Sequence, residues 1–288
     1  MGRSTVTTII TTTRMPEHVG IFDYEFMRNA FAAATIVAIV SGAIGYFLVL
    51  RGETFAGHAL SHVGFAGATG AALLGLSPFA GLTLFTIFAG LGIGILGQRA
   101  NRDVAIGLVL TVALGLGLQF LHFYTAFAGM ATSLLFGNVL GTSLGTVWIL
   151  LGMAVVTLAG LAAISRPLLF ASLQPELAEA RGVRTGRLTA LFMMIVALAT
   201  AQAIQIVGVL LVFALMVAPA ATAIRLTRTF AAGVVLSVVL AVAIAWLALL
   251  LAYYTDWPTS FWITALGGLA YAVSHLPGWL ARRGPASA

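Results

Sequence analysis

Apolar residues run along almost the whole chain in stretches of membrane-spanning length, separated by short polar breaks. Nine such stretches occur, at residues 27–50, 54–76, 79–97, 104–123, 146–164, 189–204, 206–224, 231–253 and 260–277. A helix needs about 20 apolar residues to cross a hydrocarbon layer of about 30 Å. The pattern therefore predicts an all-α, polytopic membrane protein of about nine transmembrane helices. The stretch 189–224 is the one ambiguous interval: read as one span it lowers the count to eight. Divided in two, its 36 residues give spans of about 27 Å each at about 1.5 Å per residue. As one span it would put Arg187 and Arg225 on opposite faces, so nine is preferred.

The breaks carry their own signals. Residues 1–26 are Thr-rich, contain Arg14, Glu17, Asp23 and Glu25, and lack the apolar core of a cleaved signal peptide; they read as a tail and surface segment. Residues 282–288 read as a second tail, leaving 27–281 as one transmembrane domain. Residues 124–145 are too broken for a span and too apolar for an ordinary loop. There Phe136-Gly137-Asn138-Val139-Leu140-Gly141 sets a turn between apolar pieces, tolerable at membrane depth only with its backbone buried in protein. Residues 165–188 form the one long polar interruption of the interior. Within them Pro175 at a first turn, acids at Glu176 and Glu179, and a stop at Gly182 predict a short helix, the expected docking surface for a soluble partner.

Composition agrees with the hydropathy pattern: 61% of residues are hydrophobic and 8% charged, against about 25% charged in soluble domains. The net charge of +6 comes from 14 basic residues, all Arg and nowhere in a dense block, so it reads as membrane topology and not as a nucleic-acid footprint. With the Arg51 loop inside and alternating spans, Arg51, Arg99, Arg102, Arg166, Arg181, Arg184, Arg187, Arg225, Arg228, Arg282 and Arg283 are all inside. The amino end is then out and the carboxyl end in, with only Arg3, Arg14 and Arg28 outside. The absence of cysteine removes disulfides and thiolate metal ligands. With no Lys, the chain lacks the phosphate loop of an ATPase and is expected to be a non-enzymatic subunit.

Polar groups inside spans are costly in hydrocarbon and usually face a cavity or a partner. His58 and His62 lie four residues apart on the second span, so they share a helical face, at depths of about 6 and 12 Å. Two imidazoles at this spacing can bind one transition-metal ion if other helices supply further ligands; hydrogen bonds to neighbouring helices would explain the pair equally. Ser61 and His62 suggest an intramembrane hydrolase only remotely, because adjacent helical residues point about 100° apart. His122 and His275 offer no convincing haem pair and read as interfacial, while Gln119, Gln202 and Gln205 either line the outer part of a path or bond other helices. Pro219 interrupts the seventh span and is expected to bend it, freeing the carbonyl of Leu215.

Taken in order, these pieces resemble the membrane subunits of ATP-binding-cassette importers for zinc, manganese and iron. The matching residues are Phe47-Leu48-Val49-Leu50-Arg51, Gly57-His58-Ala59-Leu60-Ser61-His62, Ala105-Ile106-Gly107 after Asp103, and Leu135 through Gly141. They continue with Pro175-Glu176-Leu177-Ala178 to Gly182-Val183, Val207 to Leu211, and Pro219 to Ala223. The resemblance implies a multi-pass homodimeric permease of the cytoplasmic membrane, with two cytoplasmic ATPase subunits and an extracytoplasmic metal-binding protein. Gln174, Pro175, Glu176, Ala178, Glu179 and Gly182 would be its coupling helix. His58 and His62 would be transient ligands for a transported metal, with ATP used by the partner and no cofactor permanently bound. Where the family commonly has Asp, this chain has His58, and two imidazoles lean toward zinc over manganese. Chelated iron or a corrinoid is the alternative substrate.

Overall fold

The computed structural model describes residues 21–97, 102–123 and 133–275. The tail at 282–288, most of the segment 1–26, Arg99 and residues 124–132 lie outside the described residues. Ten helices of six residues or more organise the rest: α1 (Glu25–Leu50), α2 (Thr54–Leu73), α3 (Pro78–Leu96), α4 (Arg102–Phe123) and α5 (Leu144–Leu173). The short α6 (Pro175–Ala180) follows, then α7 (Thr185–Val207), α8 (Val212–Leu226), α9 (Phe230–Thr255) and α10 (Thr259–Val273). No strand occurs among the described residues, and a helix stands in each of the nine apolar stretches.

Six of the helices are long and apolar enough to cross a membrane: α1, α3, α4, α5, α7 and α9. The chain is a multi-pass helical membrane protein. Helix α2 has the length but is diluted by His58, Ser61, His62 and Thr69, while α8 and α10, at 15 residues each, reach only about 22 Å. Helices α1 and α7 are the centre: their apolar windows are 72% and 67% buried, against 22–33% for α3, α4, α5 and α9. Around them α9, α8 and α10 form one flank and α2, α3 and α4 the other.

Small residues set the spacing. Without a hydrophobic drive between helices in lipid, close backbone approach supplies much of the attraction. A Cβ added at Gly45 of α1 would lie 1.8 Å from the Met216 carbonyl oxygen of α8, so these two backbones touch there. Gly90 and Gly94 of α3 bring it against Met193 and Ala190 of α7 in the same way.

Two stretches differ from their hydropathy. Residues 165–173, polar in part, continue α5 through Ser165, Arg166 and Pro167 to Leu173, making that helix about 45 Å long. Pro167 withholds one donor, yet the helix runs on through it. The break between α7 and α8 falls at residues 208–211, after Gln205, because the helical hydrogen-bond ladder continues to Gly208 N, which donates to Ile204 O. Onto that turn folds the described part of the broken segment. Val209 N and Leu210 N donate to the carbonyls of Leu134 (3.0 Å) and Leu135 (3.3 Å), and Ser260 Oγ of α10 donates to Phe136 O (2.5 Å). The carbonyls of Leu134, Leu135 and Phe136 are thereby paired within the protein.

Candidate functional site

The turn from α1 into α2 positions the site. Gly52 N donates to Val49 O and Glu53 N to Leu48 O, a Schellman ending whose pivot, Gly52, has φ +67°. Only glycine takes that conformation without strain, and it lets the chain reverse straight into Thr54. His58 and His62 follow on the second and third turns of α2. Their ring centres lie 4.8 Å apart, one edge against the other's face at 82°. Both are half-buried, with Phe213 of α8 at 5.9 Å and Phe55 at 6.0 Å from the His58 ring. The pair therefore sits where α2 meets α8, with apolar walls beside it.

A metal bonded at about 2.0–2.1 Å to each imidazole lies within reach of both rings at this separation once they turn from edge-to-face. Among the described residues no group of three or more His, Asp or Glu side chains gathers, so this chain offers a two-imidazole set. Ser61 is buried and its hydroxyl donates to His58 O (2.7 Å), which leaves it bound to the helix backbone and poorly placed as a nucleophile.

The remaining polar residues fall elsewhere. Gln202 is buried between α7 and α5, donating to Thr157 Oγ1 (2.9 Å) and Leu198 O (3.1 Å). Gln205 lines a cavity of about 270 Å³ with Ser77 and Asn138, and Gln119 is exposed on α4. The His122 ring packs beside Phe123, and His275 packs on Tyr271, its Nδ1 3.0 Å from the Tyr271 carbonyl. Pro219 is buried in α8, which runs unbroken across it.

The short α6 begins with Pro175 and closes with a second Schellman ending: Val183 N donates to Ala178 O and Gly182 N to Glu179 O. Ala178 is fully buried, whereas Pro175, Glu176, Leu177, Glu179 and Arg181 are exposed. The helix thus rests on one alanine and presents acids and a leucine outward.

Residues 23–277 match the ABC 3 transport family. The chain belongs to that family. Two relatives make the kinship concrete. The manganese transport system membrane protein MntC of Listeria monocytogenes is 35% identical over 223 residues, 76% of this chain and 78% of the relative. The manganese import system permease protein ScaB of Streptococcus gordonii is 30% identical over 260 residues, 88% and 92% of the two chains. A chain of PsaBC from Streptococcus pneumoniae, solved in complex with Fab, superposes with a TM-score of 0.79 at 28% identity, covering 89% of this chain and 93% of that one. This member of the ABC 3 transport family is accordingly a metal-importer permease of the cytoplasmic membrane.

One feature of the site lay outside the hydropathy reading. Glu53 is buried and forms a two-point ion pair with Arg51, which the sequence marks for topology and as the end of a matching segment but not as half of a pair. The signal was present: opposite charges flank a glycine between two spans.

Proposed function

We propose that this chain is the permease of a manganese importer, and that it works as a homodimer with two cytoplasmic ATPase subunits and an extracytoplasmic delivery protein. What carries the reading is the His58 and His62 pair, half-buried on one face of a membrane helix against α8. The manganese relatives supply the metal. Zinc is the second reading, favoured by the imidazole at His58, because two nitrogen ligands suit zinc better than manganese.

In this scheme the amino end is outside, the carboxyl end inside, and α6 seats in the ATPase. Glu176, Glu179 and the exposed Leu177 form the contact, and Arg181, Arg184 and Arg187 lie near it. ATP binding and hydrolysis favour different positions of α6, and the flanking α5 and α7 carry that preference to the path, since only differential contacts shift a conformational equilibrium. His58 and His62 receive the ion as the path opens from outside and release it as the inner side opens. Pro219 would bend α8 beside them.

The test is uptake of labelled manganese, zinc and iron by cells without their own importers, expressing this chain with its ATPase and delivery protein. Manganese entry ahead of zinc is expected. Entry of zinc alone would select the second reading, and entry only of a chelate or corrinoid would overturn both. Orientation has a separate check, simple in a chain without cysteine: Gln174→Cys is expected to resist membrane-impermeant thiol reagents applied from outside, and ready labelling would reverse the topology.

A further inference from the structure

We propose that Arg51 and Glu53 form the joint that transmits movement of α6 to the metal-bearing helix; this rests on the reading of α6 as the ATPase contact. The Arg51 guanidinium is almost saturated. Its Nε donates to Glu53 Oε2 and its Nη2 to Glu53 Oε1, both at 3.0 Å, while Nη1 donates to Ser172 Oγ (3.1 Å) and Nη2 also to Thr189 Oγ1 (3.0 Å). Its central carbon stands 5.4 Å from the ring centre of Phe192, itself fully buried on α7. One side chain thereby ties the turn between α1 and α2 to the end of α5 and the start of α7.

Those two helix ends are the ones that hold α6. Ser172 lies three residues before Pro175, and on the other side Thr185 Oγ1 donates to Glu179 Oε1 (2.7 Å). Between α6 and the ion pair is a cavity of about 280 Å³, lined by Arg51, Glu53, Ser172, Pro175, Glu179 and Thr189 among others. The cavity leaves α6 room to shift against the pair. Glu53 in turn immediately precedes α2, five residues before His58, about 7.5 Å along the helix. Arg51 thus bonds both helix ends that flank α6, and its partner Glu53 stands at the entrance to the helix that carries both imidazoles.

Energetics favour a mechanical over a stabilising role. The Arg51 and Glu53 side chains are only 9% and 2% exposed, and removing such a pair from water costs about as much as its attraction returns. Replacing both partners with apolar residues of similar size is often neutral for stability. What is lost with the pair is the directional fork that holds Ser172 and Thr189 in register, since a bidentate guanidinium fixes orientation as well as charge.

The experiment uses the full complex in lipid nanodiscs, comparing wild type, R51M with E53M, and Arg51→Lys. Expected for the first variant is normal assembly and wild-type basal ATP hydrolysis, with stimulation by metal-loaded delivery protein reduced about tenfold, a typical coupling loss. Arg51→Lys, which keeps the charge and loses the fork, is expected to assemble normally and lose stimulation too. Full stimulation in either assembled variant overturns the joint, and so does failure of both to assemble, which would make the pair a folding element. The reading of α6 is tested apart in the same preparation: Glu176→Arg with Glu179→Arg is expected to release the ATPase. Retention of the ATPase by that variant would sink the docking assignment, whatever the joint variants do.

Discussion

Metal uptake is expected to fall about a hundredfold or more when His58 and His62 are both replaced by alanine, with the protein still assembled in the membrane. The magnitude follows from ligand chemistry: even outer partners of metal ligands cost 10–100-fold when removed, so loss of two direct ligands should reach the upper end. The fold should tolerate the change. Both rings are half-buried, their contacts are chiefly with each other, Phe55 and Phe213, and alanine is the best helix former. Uptake of labelled manganese and zinc, normalised to assembled complex, provides the measurement. Wild-type rates in the double variant would reduce the pair to packing. His58→Asp adds a finer readout, because a carboxylate is a harder ligand than imidazole: uptake should persist with the manganese-to-zinc ratio raised.

Gly45→Leu is expected to prevent accumulation of folded protein. The Cβ alone would sit 1.8 Å from Met216 O, and backbone on both sides leaves no flexible side chain to give way. Helix α1 would have to move off α8, and α1 is the most buried of the long helices. Forcing extra atoms into a packed contact commonly costs 1–3 kcal/mol; here about 3 kcal/mol or more is expected, since an interhelical backbone contact must open. Size-exclusion profile and thermal midpoint in detergent report it, with Gly107→Ala as comparison. Nothing lies within 4 Å of a Cβ at Gly107, so that change should be neutral or gain up to about 1 kcal/mol of helix propensity. A Gly45→Leu protein eluting and melting as wild type would refute the contact.

The helices were legible in the chain because lipid demands long apolar runs, and each run is a helix. Helix ends were less so. Hydropathy marks where the solvent changes, not where hydrogen bonding stops, and so α5 passes through Ser165, Arg166 and Pro167 without breaking. Likewise α7 continues past Gln202 and Gln205, polar residues that suggest an interface, to the glycine at Gly208. The imidazole pair stood out because histidine is costly in an apolar helix, and α6 stood out through proline, acids and glycine at their usual places. The Arg51 and Glu53 pair did not, because a charge at the end of a span is ordinarily explained by the water beyond it. That the two share one turn and reach Ser172, 121 residues away, is a fact of tertiary packing alone.

The strap of residues 133–136 across the turn between α7 and α8 limits where any opening can occur. Val209, Leu210 and Ser260 are all hydrogen-bonded to it, and a Cβ on Gly137 or Gly208 would strike the opposite backbone within 2.4 Å. Separating the turn or α10 from the strap would break these hydrogen bonds and uncover the carbonyls of Leu134, Leu135 and Phe136. One four-residue strap thus ties the approach to α8 and the start of α10 together, and parting them means releasing it first.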